Sequence, residues 1–218
     1  MVIVMKFFSV DSPLYRFINR LWDILQLNFY WFVCSIPIVT MGAATAAAFR
    51  VCLKMVDDEE GYIGKEFLKG FRENWKQGTI LEFLTLLCVY VVYLDVQIFN
   101  AVENNPIIFL IIAMVSGFFF FLCLIYAYPL IARYQNSLHG TIKNSFTISR
   151  RFFGRTLMLC VVIGAELLVW FFNRTTIFIG FLIGPACIMF TIAGIALRIF
   201  QIIEKEPNTT VVREDGEE

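Results

Sequence analysis

Two ionisable residues sit where lipid would make a charge expensive. Glu166 lies near the middle of the apolar run 156–173, between Ala165 and Leu167, and Arg50 lies in a run rich in alanine. A charged side chain in hydrocarbon is tolerated when it is paired or hydrated. Glu166 and Arg50 therefore form the candidate intramembrane polar site, either as a structural ion pair or as a place for substrate or protons. A neutral Glu166 carboxyl at the lipid edge is the remaining reading. Other acids lie nearer the ends of apolar runs. Asp95 approaches the end where Arg174 also falls and is expected to pair with it or be solvated. Glu82 is placed to snorkel toward the nearer interface, and Asp23 to pair locally with Arg20.

The remaining residue types exclude more than they suggest. A lone histidine, His139, builds neither a zinc site nor a catalytic diad. The six cysteines (Cys34, Cys52, Cys88, Cys123, Cys160 and Cys187) are widely spaced and read as small apolar packing residues. The phosphate-loop pattern GxxxxGK[ST] is absent, and the intramembrane acids are dispersed rather than paired. No enzyme activity, metal or cofactor is expected. Net charge is zero, so no basic field points to nucleic acid. Trp22, Tyr30, Trp31, Tyr90, Tyr93, Tyr128 and Trp170 read as interfacial aromatics or as platforms for sugar rings.

With 59% hydrophobic and 17% charged residues among 218, the chain has too little polar surface for a soluble domain of its size. Residues 79–100, 107–132, 156–173 and 176–197 are each long enough to cross a hydrocarbon core of about 30 Å. Their short links make two helical hairpins. Residues 21–56 predict a third, interrupted at 36–42. Pro37 removes an amide donor, Thr40 can cap a new helix and Gly42 permits a sharp turn. One long kinked span is the rival reading. In the last run, Gly180 and Gly184 form a GxxxG pattern for helix packing, within the chain or with a second copy, and Gly184-Pro185 predicts a kink.

Charge favours six segments. With both termini cytoplasmic, all of the 18 lysines and arginines except Arg174 fall on one side. With five spans and an external N-terminus, Lys6, Arg16 and Arg20 would join Arg174 outside. The first residues do not make a secretory leader, because Asp11-Ser12-Pro13 interrupts them. Each hairpin is preceded by a polar-apolar segment, at 12–20, 65–77 and 141–155. In the second, Phe67, Leu68, Phe71 and Trp75 recur at helical spacing among basic residues, predicting a helix in the membrane interface. The fold class is thus an all-α polytopic membrane protein of about six membrane helices with amphipathic cytoplasmic helices. Residues 1–203 form one transmembrane domain, and 204–218 a polar, disordered tail.

Asn28-Phe29-Tyr30-Trp31 and the stretch from Ile36-Pro37 through Thr40-Met41-Gly42 to Ala47 resemble the N-terminal signature of the YesL-like bacterial membrane proteins. Phe71-Arg72-Glu73-Asn74-Trp75 and the spacing of the spans are similar too, so the resemblance covers nearly the whole chain. It departs at Ala43, where members usually carry proline. The resemblance implies a bacterial cell membrane and a genomic setting beside carbohydrate ABC importers, with no established chemistry.

Two functions fit these residues. One is an accessory or regulatory subunit linked to carbohydrate uptake, acting by contact with importer permease subunits or a sensor protein. The other is a small secondary transporter, functioning as a homodimer, with Glu166 and Arg50 as its midplane site and the 37–42 break as a substrate-binding helix interruption.

Overall fold

The computed structural model describes residues 13–59, 61–101 and 107–206. Among them the regular structure is entirely helical: α1 Pro13–Ser35, a 3-10 turn Ile38–Thr40, α2 Met41–Val56, α3 Ile63–Glu73 and α4 Trp75–Ala101. There follow α5 Ile107–Leu124, α6 Ala127–Arg133, α7 Leu138–Arg151, α8 Phe153–Trp170 and α9 Arg174–Glu204. Five stretches are long and apolar enough to cross a membrane: 38–56, 75–101, 107–133, 153–170 and 174–204. The chain is an all-α polytopic membrane protein. The α1 helix has the length but not the composition, since it carries Arg20 and Asp23 and an amphipathic pattern.

Residues 21–56 form a hairpin. Trp31 Nε1 donates to Thr45 Oγ1 at 3.1 Å near the break, and Arg20 pairs with Asp58 at 2.6 Å at the far end. Those two contacts require antiparallel helices. Thr40 does not cap α2 as expected. Its backbone is already helical, so its hydroxyl instead reaches the Cys34 and Pro37 carbonyls at 2.6 and 2.8 Å. It satisfies acceptors left open where α1 ends.

The expected turn at Gly42 is not there either. Gly42 lies inside α2, and its missing side chain serves close approach. A Cβ on Gly42 would stand 2.1 Å from the Gly78 carbonyl, and one on Gly78 would stand 2.7 Å from Ala43 Cα. The backbones of α2 and α4 therefore touch where they cross. The rest of α2 is equally bare. Ala43, Ala44, Ala46, Ala47 and Ala48 are fully buried, and α2 packs against α1, α3, α4, α6 and α9. It is the central post of the structure.

The α3 helix runs back along α2. Lys54 meets Glu66 at 3.0 Å, Gly70 lies against Ala47, and Gly78 against Ala43. Of the predicted apolar stripe, Phe67 and Phe71 turn to protein while Leu68 and Trp75 stay exposed. Phe67 is fully buried and stacked on Tyr30 with ring centroids 5.9 Å apart. Lys65, Leu68, Lys69 and Arg72 remain exposed.

Run 107–132 breaks at 125–126, where α5 gives way to α6. Pro129 explains the position, because its ring cannot accommodate the carbonyl of residue 125 in a continuous helix. The α4–α5 pair stays largely uncovered beyond the crossing, with Leu87, Val89, Tyr90, Ile108, Met114 and Phe119 exposed. The link 102–106 lies outside the described residues.

In α9, Pro185 likewise frees the Phe181 carbonyl. Asn28 of α1 repairs the defect: its Nδ2 donates to the Phe181 and Leu182 carbonyls at 3.3 and 2.7 Å, and its Oδ1 accepts from Ala186 N at 3.3 Å. Asn173 starts α9 with a reciprocal capping box to Thr176. At its other end α9 continues to Glu204, past the expected end at Leu197.

Gly78→Val should lower the melting temperature in detergent, at a cost of about 1–3 kcal/mol from overpacking. Gly164→Ala, with nothing within 4 Å of the added carbon, should not. Equal losses would refute the crossing. Asn28→Ala strands the Phe181 carbonyl and should cost about 1–3 kcal/mol, read from the same melts.

Candidate functional site

The pair expected from sequence does not form. Glu166 of α8 accepts a hydrogen bond from Thr191 Oγ1 of α9 at 2.6 Å, and its Oε2 is buried without a partner. Arg50 points the other way, to Glu73 and, at 3.6 Å, Glu66. The reason is α3. Folded back along α2, it brings two acids to Arg50 that no hydropathy pattern places there.

The acid that enters a cavity is Glu82. One turn after the Gly78 crossing, its Cβ lies 2.7 Å from where a Gly42 Cβ would stand. Held beside the first turn of α2, Glu82 is only 6% exposed and does not snorkel as expected. Its Oε2 accepts from Tyr128 Oη at 2.9 Å, and Thr85 Oγ1 lies 3.3 Å from the same phenol oxygen. The phenol comes from α6, and Phe49 of α2 stacks on the Tyr128 ring with centroids 6.4 Å apart.

Glu82 and Tyr128 line a cavity of about 590 Å³ whose other walls include Trp31, Trp170, Phe171 and Phe181. Aromatics from α1, α6, α9 and the end of α8 thus converge on one space. Gly180 and Gly184 contribute indirectly. Side chains there would stand 3.0 and 2.8 Å from Trp170 atoms, so the GxxxG face receives an indole from the adjoining α8 rather than another helix backbone. Asp95 meets Ser116 at 3.4 Å, not Arg174.

A second site lies at the opposite, charged end. Arg20–Asp58, Lys54–Glu59, Lys54–Glu66, Arg133–Glu204 and Arg151–Glu206 gather there with the Arg50 pairs. Glu204 and Glu206 open the segment expected as a disordered tail, yet both are ion-paired; 207–218 lie outside the described residues. Between the α3–α4 junction and the α6–α7 link is a polar cleft of about 1010 Å³, lined by Arg50, Arg72, Glu73, Lys76, Arg133 and Gln135 among others. Burial and the neighbouring Glu204 push the Tyr134 phenol up. The hydrogen bond from Lys54, with Arg50 and Lys69 adding to it, holds the Glu66 carboxyl below its ordinary range despite burial.

His139 is exposed on α7, and all six cysteines are free thiols. Among the described residues no three His, Cys, Asp or Glu side chains are grouped to hold a metal.

The architecture defines an all-helical multi-pass membrane protein whose buried acid faces an aromatic cavity. Residues 24–96, from α1 into α4, match a family described as "Protein of unknown function, DUF624". The matched segment holds the Asn28–Ala47 motif, the Gly42–Gly78 crossing and Glu82, and it is consistent with the resemblance drawn from that motif. No curated protein and no solved structure matches the chain.

Acid should loosen the charged end. Because Glu66 titrates below its unfolded value, its stabilisation is present above the ordinary carboxylate pKa of about 4.3. It is lost as pH falls through the lowered value. Glu66→Gln should cost about 0.5–1 kcal/mol at pH 7 and flatten part of the acid limb in melts between neutral and acid pH. An unchanged limb would exclude the pair as its source.

Proposed function

We propose that this chain is an accessory or regulatory subunit of the bacterial cell membrane, linked to carbohydrate uptake, that acts by contact with a permease or sensor protein. The observation that supports this reading most is the charged cleft. It is open and rimmed by the exposed cations Arg72 and Lys76 at the end where the ion pairs gather. Such a surface suits a polar, acidic segment of another protein, and electrostatic complementarity there favours encounter and register. The uncovered apolar faces of α4 and α5 offer a second contact within the bilayer. The carbohydrate link rests on the genomic setting that the YesL-like resemblance implies. In this reading the charged end and both termini are cytoplasmic.

A second reading, a small transporter working as a homodimer, is favoured by the cavity at Glu82. Its polar centre would then be Glu82 with Tyr128, not Glu166 with Arg50.

Affinity purification from the native membrane in mild detergent, followed by mass spectrometry, separates the two. The accessory reading expects a permease or sensor at a fixed ratio to this chain. Arg72→Glu with Lys76→Glu should reduce its recovery by roughly tenfold, as loss of rim charges does, with the melting temperature unchanged. Recovery of this chain alone, together with solute flux in liposomes, would support the transporter.

A further inference from the structure

Glu82 is buried among apolar atoms with incomplete pairing. A carboxylate offers about four acceptor positions, and a single phenol donor serves it. The ion pairs among the described residues leave it out. It is the sole charged side chain lining its cavity, and Tyr128 is the only other lining residue that titrates. The first turn of α2 stands beside it, and the positive end of that helix dipole offsets part of the cost of burying a carboxylate there.

The remaining lining narrows the ligand. The cavity's volume of about 590 Å³ is that of a small-molecule site, and its walls are mostly aromatic and aliphatic. An anion would meet Glu82 and no cation. A sugar would find few free hydrogen-bond partners. Thr45 already accepts from Trp31 and donates to the Met41 carbonyl, and Thr85 donates to the Leu81 carbonyl. What these walls complement is a compact cation with an apolar surface. Its charge would meet the carboxylate, and its bulk the aromatic rings, whose faces attract a desolvated cation.

We propose that the cavity bounded by α1, α2, α4, α6, α8 and α9 binds a hydrophobic monovalent organic cation, a quaternary ammonium or phosphonium ion or a protonated amine. Glu82 is its counter-ion, and Trp31 and Trp170 are its walls. The site stands whether the chain is an accessory subunit sensing such a compound or a transporter carrying it.

Equilibrium dialysis of the purified full chain in detergent tests it, with empty micelles subtracted. The probes are tetraphenylphosphonium and tetraphenylborate, ions of matching shape and opposite charge. The expected result is saturable binding of the phosphonium, about tenfold or more tighter than the borate, as a buried counter-ion requires. Glu82→Gln should lower phosphonium affinity by a similar factor with an unchanged melting temperature. The proposal is overturned if wild-type protein binds the two ions alike or binds neither saturably, or if folded Glu82→Gln keeps wild-type affinity. A co-purifying lipid that fills the cavity and excludes both probes would also overturn it. The wild-type comparison needs no variant, so a Glu82→Gln protein that fails to fold leaves the test intact.

Discussion

The contact between Gly42 and Gly78 is the constraint from which much of this structure follows. Two helix backbones can touch only where both lack a side chain, and there the position of each is set by the other's peptide groups rather than by adaptable rotamers. From that point α4 extends one way into the α4–α5 hairpin, while α3 runs the other way along the alanine face of α2. One turn past the crossing is Glu82, so the same contact that joins the helices also takes a carboxylate out of reach of solvent. The crossing and the buried acid form one structural unit.

A solvent that offers no hydrogen bonds explains the second theme, the repair of backbone defects by side chains. Pro37, Pro129 and Pro185 each remove an amide donor. At the first, Thr40 reaches the exposed carbonyls; at the second, the helix breaks and α6 starts anew; at the third, Asn28 crosses from α1 to serve α9. The Asn28 contact makes a local defect into a tertiary tie. Deep in the structure, where water cannot substitute, such a tie is worth more than the same bond on a surface.

Charge is segregated along the molecule. The ion pairs gather at one end, where acids from α3 and α9 and from the segments just after α2 and α9 answer basic residues of α1, α2, α6 and α7. The Glu82 cavity is left with an acid, a phenol and aromatic walls. The first region presents an open polar surface, and the second an apolar cavity with one acid in its wall. Neither depends on the other's chemistry, although both are anchored to α2.

Composition and period alone determined the membrane class, the four long apolar runs after residue 75 and the break at Pro37, because lipid permits few backbone solutions for long apolar runs. They also placed most basic residues at one end, since hairpin topology follows from short links. The count of six segments and the kink at Pro185 were not readable in the same way, since α1 is too polar to match the other spans and α9 runs unbroken through Pro185. Pro129 carried a readable signal for the α5–α6 break that the continuous hydropathy of 107–132 masked. The partners of Glu82, Glu166, Arg50 and Gly42 were decided only by tertiary structure. Each meets groups from helices remote in the chain, at distances set by how closely two backbones approach. A one-dimensional pattern records which face of a helix is apolar, but not which other helix will cover it.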